Sequence, residues 1–288
     1  MDLPLPFIFV DGVSNVRTLG GYPTPECNEP LSISTRQDFF YRCADLIKVT
    51  DAGRATLQSL GITAVYDLRS LDEGKKAQDA HGRAVITDLT NSPLGPNITR
   101  HETPIFAHEN WSPEAAGMRY LRYAQRDAPP GAGYAEAYRE MLERGHGAIR
   151  RVLLHVRDRA GEPFAVHCSA GKDRTGVVVA VLMKLAGCED EVVAREYALT
   201  EVGLGSRKAF IVKYLLSKPE IQGSQELAEM VAGAPFENMW ETLQMVRRDY
   251  GGMSEYVRRF CGLTESDIAV IRRNLTCSDA PSPWGEAI

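Results

Sequence analysis

Apolar and polar positions along the 288-residue chain follow two different periods in its two halves. In the first half, short β-branched or aromatic runs stand between turn residues. Asp38 to Cys43, DFFYRC, predicts a short strand, and Ile62 to Leu68, ITAVYDL, a strand buried on both faces. Between them Thr50 can cap a helix running to about Leu60, with Asp51 in its first turn and Gly61 closing it. Arg83 to Leu89 is a second candidate strand, while Thr90 to Pro113 is proline-rich, lacks periodicity and reads as a long loop. Helical spacing follows at about 114–126, 133–144 and 147–158, with Pro129-Pro130-Gly131 dividing the first two. Phe164 to His167 is a short apolar strand, the loop CSAGKDR comes next, and the chain turns helical from Thr175. Beyond it, helical spacing marks about 189–199, 206–217, 224–232, 236–249, 253–260 and 264–275.

Strands that alternate with helices early, and helices alone late, predict one α/β domain over residues 1–276. Its central sheet is expected to be mostly parallel and flanked by helices. The first forty residues are turn-rich, and residues 277–288 read as a disordered tail. There is no internal repeat.

Composition is that of an ordinary globular domain, 44% hydrophobic and 25% charged. With a net charge of −5 the chain has no global field for nucleic acid or anionic membranes, so an anion site must be built locally. Six cysteines, at 27, 43, 168, 188, 261 and 277, include no C-x-x-C pair, which leaves no basis for a zinc site. Scattered thiols in a chain this long suit a reducing compartment, and MDLPLPFIFVDG is a poor signal peptide, so a cytoplasmic location is expected. The longest apolar run, VVVAVLM after Gly176, is too short for a membrane span.

The chemistry concentrates in HCSAGKDRTG, His167 to Gly176. A strand delivers Cys168 to a tight loop, and the loop feeds a helix N-terminus, so its backbone N–H groups form an anion cradle. The amides of Ser169, Ala170, Gly171, Lys172, Asp173 and Arg174 are the expected phosphate ligands. Gly171 permits a backbone conformation that other residues avoid, and Arg174 supplies a planar fork for two phosphate oxygens. A thiolate is the nucleophilic form of cysteine, and a helix N-terminus beside cations is the setting that favours it. Such a thiolate at Cys168 would attack phosphorus to give a thiophosphate intermediate. Thr175 could donate its hydroxyl to the sulfur, and His167 is expected to orient the loop through hydrogen bonds. No metal or other cofactor is required.

This segment resembles the signature loop of the protein-tyrosine-phosphatase superfamily, and more narrowly that of the atypical bacterial and fungal tyrosine phosphatases, including the mycobacterial tyrosine phosphatase B group. NVRTLGGY at Asn15 to Tyr22, FYRCADL at Phe40 to Leu46, LGITAVYDLRS at Leu60 to Ser70 and the late WETLQMVRRDYGG are similar to blocks of that group, so the likeness spans about residues 8–275. One departure stands out: where the early block commonly has aspartate, this chain has Thr18. The resemblance implies a tyrosine-phosphatase-like fold, with helices after Arg207 and Lys208 that can cover the site as a lid. It also implies a phosphorylated substrate, whether protein, phosphoinositide or small molecule. A Lys-Asp-Arg loop accompanies phosphoinositide activity in related families, which would place Lys172 at the rim as a substrate contact. Oligomeric state is left open.

The proton donor has more than one candidate. No Trp-Pro-Asp segment precedes Cys168; Asp127, Glu136, Glu140 and Glu143 stand in or near that window. Asp173, directly before Arg174, is the first choice, since myotubularin-like phosphatases carry an aspartate at the matching position; its alternative role is a structural bond within the loop. Asp67, at the end of its strand, is the second, the alternative being an internal pair with Arg69. The reading that follows is a cysteine-dependent phosphomonoesterase. Its competitors are a silent phosphate-binding pseudophosphatase and a sulfur-transfer or arsenate-reductase-type enzyme.

Overall fold

The computed structural model describes residues 6–24, 33–74, 94, 97–106, 122–123 and 129–278. Its centre is a five-stranded sheet in the order β1 (Arg17–Thr18), β3 (Phe40–Cys43), β6 (Phe164–His167), β4 (Ala64–Asp67) and β5 (Thr99–Glu102). All neighbours pair in parallel except β1, which runs antiparallel along β3. The three central strands, β3, β6 and β4, are buried throughout because helices and loops cover both faces. Side chains alternate between two cores: Phe40, Tyr66, Phe164 and Val166 enter one, Tyr41, Val65 and Ala165 the other.

The Asp173–Ala186 helix fills the larger core; its VVVAVLM run is buried entirely. The Ala132–Asp158, Phe236–Tyr250, Met253–Cys261 and Glu265–Leu275 helices pack around it. Leu57 of the Asp51–Ser59 helix, with Val10 and Val16, closes the other face. Burial of each such side chain contributes about 1.5–3 kcal/mol. The expected cap at Thr50 is present, and two further helices start on side-chain caps. Thr50 accepts from the Gly53 amide, Ser224 from Leu227, and Thr264 forms a reciprocal capping box with Asp267.

Three expectations change. Thr99–Glu102, inside the segment read as a loop, is the fifth strand; TRHE has no apolar run, and it is held by pairing to β4, by Arg100 on Asp67 and by His101 stacked on Tyr66. The two helices expected at 133–144 and 147–158 are one helix, Ala132–Asp158. Gly145 does not break it, because that glycine makes room for Ile105, whose Cδ1 would lie 2.8 Å from a Cβ. Cys277, read as the start of the tail, is in β7 (Thr276–Cys277), which pairs with β2 (Ser34–Thr35). The candidate strand Arg83–Leu89 and most of the 114–126 helix lie outside the described residues. Among the described residues, no helix is long and apolar enough to cross a membrane.

Candidate active site

Register aligns the ends of the parallel strands. Cys43 and Asp67 both stand opposite His167, so the loop after β6 opens at the middle of the sheet's C-terminal edge. This is where open α/β sheets bind ligands. Cys168 is the first residue of that loop and is buried.

The loop's carbonyls are all engaged away from its interior. His167 Nδ1 lies 3.1 Å from the Cys168 oxygen. The Ser169 oxygen accepts from Arg207 Nη2 at 2.8 Å and the Asp45 amide at 3.1 Å. Asn15 Nδ2 reaches the oxygens of Ala170 and Gly171, at 3.2 and 3.0 Å, and Arg42 Nη2 donates to the latter at 2.6 Å. Lys172 oxygen accepts from the Gly176 amide at 2.7 Å. A trans peptide points its N–H opposite to its C=O. Carbonyls bonded outward therefore leave the amides of Ser169 to Asp173 directed inward, and among the described residues none of them donates to a protein acceptor. That is a nest of donors at a helix N-terminus.

Glycine is required at one point in this loop. Gly171 has φ +64°, and a Cβ there would lie 2.5 Å from the Cys43 carbonyl carbon. Asn15, which steadies two loop carbonyls, is itself at φ +60°. Behind it Arg17 and Arg42, both fully buried, share the Glu196 carboxylate at 2.7 Å each. Burial, then the neighbouring Arg42, lowers Arg17 to about 10, with Glu196 opposing. Thr18, the departure from the resembled block, uses its hydroxyl to accept from the Gly20 amide at 3.1 Å.

Arg174 is nearly buried, and its fork meets the carboxylate of Glu73 with both ends, Nη1 at 2.5 Å and Nη2 at 2.8 Å. Ser169 Oγ bonds the same carboxylate. Burial acts to raise the Glu73 carboxyl, but Arg174 outweighs it and holds the group below its usual range. Burial likewise acts to lower Arg174, and Glu73 overrides it, raising the guanidinium further. Thr175 Oγ1 is buried and among the described residues makes no hydrogen bond, so the expected bond to sulfur is not formed in this state.

Two expected site residues are tied up inside the protein. Lys172 is not at the rim. Its ammonium is buried and donates to the Val231 oxygen at 2.6 Å and the Gly233 oxygen at 2.8 Å, over the Tyr134 ring. Burial lowers its pKa, with Asp173 opposing. The reason is the turn at Gly171, which swings residue 172 towards the C-terminal end of the Gln225–Ala232 helix. Asp67 forms the internal pair: Arg69 Nη2 and Arg100 Nη2 each lie 2.7 Å from Oδ2, and His167 Nε2 is 3.5 Å away. Burial pushes the Asp67 carboxyl up, but His167, Arg69 and Arg100 together hold it far below the usual range. A carboxyl so held has no proton to give near neutral pH. His167 is buried and its pKa is lowered by that burial, against the pull of Asp67.

Asp173 is partly exposed, and Tyr138 donates to its Oδ1 at 2.8 Å. Glu136, Glu140 and Glu143 are spent on Arg139, on Arg122 and Arg144, and on Tyr250 respectively. Asp127 lies outside the described residues. Sequence reasoning missed Glu73, Asn15, Arg42 and Tyr138, which reach the loop from distant segments. For Glu73 and Tyr138 no local pattern marks the role. Among the described residues, no group of three or more His, Cys, Asp or Glu side chains could hold a metal.

Comparison with known proteins places the chain. The tyrosine phosphatase family profile matches residues 8–277. The triple specificity protein phosphatase PtpB of Mycobacterium tuberculosis is 26% identical over 261 residues, which are 81% of this chain and 88% of that protein. A tyrosine-protein phosphatase of Nostoc commune is 28% identical over 163 residues, 57% of this chain and 48% of that protein.

Proposed function

We propose how this chain, which belongs to the tyrosine phosphatase family and is a phosphoric monoester hydrolase, carries out that hydrolysis: Cys168 is the nucleophile and the loop to Thr175 is the phosphate cradle. The observation that carries the reading is the run of carbonyls from Cys168 to Lys172 bonded outward, which leaves the amides to the phosphate. Arg174 adds its fork, held ready by Glu73.

In the first step the Cys168 thiolate forms an S–P bond while the P–O bond to the leaving group breaks. The departing oxygen takes a proton from the Asp173 carboxyl. In the second step water attacks the thiophosphate and gives its proton to the Asp173 carboxylate. The S–P bond breaks, and phosphate and thiolate are released. Charge building on the equatorial oxygens is met by the inward amides and Arg174, and an interaction of this kind is worth roughly 10²–10³ in rate. The hydroxyl of Thr175, buried without a partner, gains one in the sulfur once it rotates towards the leaving thiolate.

Substrates are phosphomonoesters, with phosphotyrosyl proteins first. The name of the M. tuberculosis relative, a triple specificity phosphatase, extends the panel to other phosphorylated classes. Burial of Lys172 removes the rim cation that would have favoured phosphoinositides, which supports reading selectivity from other residues. The test is hydrolysis of p-nitrophenyl phosphate by wild type and Cys168→Ser. Wild type is expected to turn over and Cys168→Ser to be silent. Equal rates in the two proteins, with both folded, would end this reading.

A further inference from the structure

We infer that Tyr138, backed by Tyr197, is a positioning residue that fixes which oxygen of Asp173 delivers the proton. The inference rests on the assignment of Asp173 as the general acid made above.

Tyr138 lies on the Ala132–Asp158 helix and Tyr197 on the Asp190–Ala198 helix, and both rings are fully buried. The two hydroxyls are 2.8 Å apart, and Tyr138 Oη is 2.8 Å from Asp173 Oδ1. A phenol has one hydrogen, and a carboxylate oxygen only accepts. Tyr138 therefore donates to Asp173, and Tyr197 must donate to Tyr138. Burial pushes both phenols up, so neither loses its proton in the working range. The chain of donors has a single direction, and it ends on Oδ1.

Lys172 Nζ approaches the same oxygen, at 3.5 Å. Both buried donors converge on Oδ1, while among the described residues no protein group bonds Oδ2. A proton carried by Asp173 consequently resides on Oδ2. As that proton leaves, negative charge grows on the carboxylate and the bond from Tyr138 strengthens, since hydrogen bonds to an ionised acceptor are roughly twice as strong as neutral ones. Tyr138 thus assists most when the leaving group most needs a proton.

The arrangement is built into the motif. A Cβ on Gly176 would lie 2.9 Å from Tyr197 Cδ2, so the glycine after Thr175 makes room for the ring that backs the pair.

The experiment measures kcat/KM over a series of aryl phosphates, from p-nitrophenyl to unsubstituted phenyl, for wild type, Asp173→Asn, Tyr138→Phe, Tyr197→Phe and the Asp173→Asn/Tyr138→Phe double variant. Loss of this bond in Tyr138→Phe is expected to cost about tenfold on phenyl phosphate and less than about threefold on p-nitrophenyl phosphate, steepening the leaving-group slope. Tyr197→Phe steepens it less, and the double variant matches Asp173→Asn. If Asp173→Asn is steep but Tyr138→Phe loses equally on every substrate, or nothing, the positioning role falls and the acid assignment stands. A uniform loss in Asp173→Asn overturns both. Should Tyr138→Phe not fold, as judged by its melting curve, Tyr197→Phe carries the test, and a slope identical to wild type in that variant overturns the inference.

Discussion

Gly171→Ala is the sharpest perturbation of the cradle, because one methyl group strikes backbone on two counts. At φ +64° an L-residue costs about 1–2 kcal/mol relative to glycine. The added Cβ would also sit 2.5 Å from the Cys43 carbonyl carbon and 2.8 Å from the Ala44 nitrogen. Comfortable contact needs about 3.5 Å, so the loop must lift from β3 by about 1 Å. Such a shift stretches the 2.6 Å bond from Arg42 and the 3.0 Å bond from Asn15 to the Gly171 oxygen. A bond from a charged donor is worth about 1.5–3 kcal/mol and a neutral one about 0.5–1.5, and the loop recovers part of this by relaxing. The net expectation is a loss of about 3–5 kcal/mol out of a typical 5–15 for a domain. Inward amides displaced by about 1 Å should lower kcat/KM by roughly 10². The assay is urea unfolding together with p-nitrophenyl phosphate kinetics. Gly161→Ala, where a Cβ meets nothing within 4 Å, serves as control. A Gly171→Ala protein with wild-type midpoint and kcat/KM would show that the close approach of Gly171 to β3 does not hold the cradle.

Two further predictions concern the loop's buried ionic partners. Asp67→Asn should destabilise the protein by about 3–5 kcal/mol at neutral pH, by leaving Arg69 and Arg100 without their carboxylate. Because the folded Asp67 is depressed below its unfolded value of about 3.9, its stabilisation is full above that pH and is lost as pH falls towards the folded value. The gap between wild type and Asp67→Asn in urea unfolding should therefore narrow below about pH 4, and a gap independent of pH would contradict the pairing. Lys172→Met should cost about 2–3 kcal/mol and speed amide hydrogen exchange in residues 225–233, whose terminal carbonyls lose their cation. Unchanged exchange there would show that Lys172 does not tether that helix.

What sequence made legible was what local chemistry decides. Thr50 announces its helix because a cap needs only its own next three residues. Cys168, Gly171 and Arg174 could be named because strand, loop and helix N-terminus follow one another in the chain. Thr99–Glu102 could not be read, since a polar edge strand exists through its neighbour rather than its own pattern. The continuity of the Ala132–Asp158 helix could not be read either, since Gly145 is accommodated by its contact with Ile105. A rim position for Lys172 is all that the loop alone suggests; its direction follows from the Gly171 turn and from carbonyls some sixty residues away in sequence. Glu73 and Tyr138 were unreadable for the same reason: their relation to Arg174 and Asp173 is wholly tertiary.

In the proposed reaction the phosphoryl group passes through the sulfur of Cys168. Rapid quench of wild type in alkaline denaturant during turnover of a labelled aryl phosphate, followed by peptide mass analysis, detects that intermediate. One phosphoryl group is expected on the peptide containing Cys168, stable in base and lost in mild acid as an S-phosphate, and none in Cys168→Ser. Label on any other residue, or turnover in Cys168→Ser with the label still formed, would contradict it.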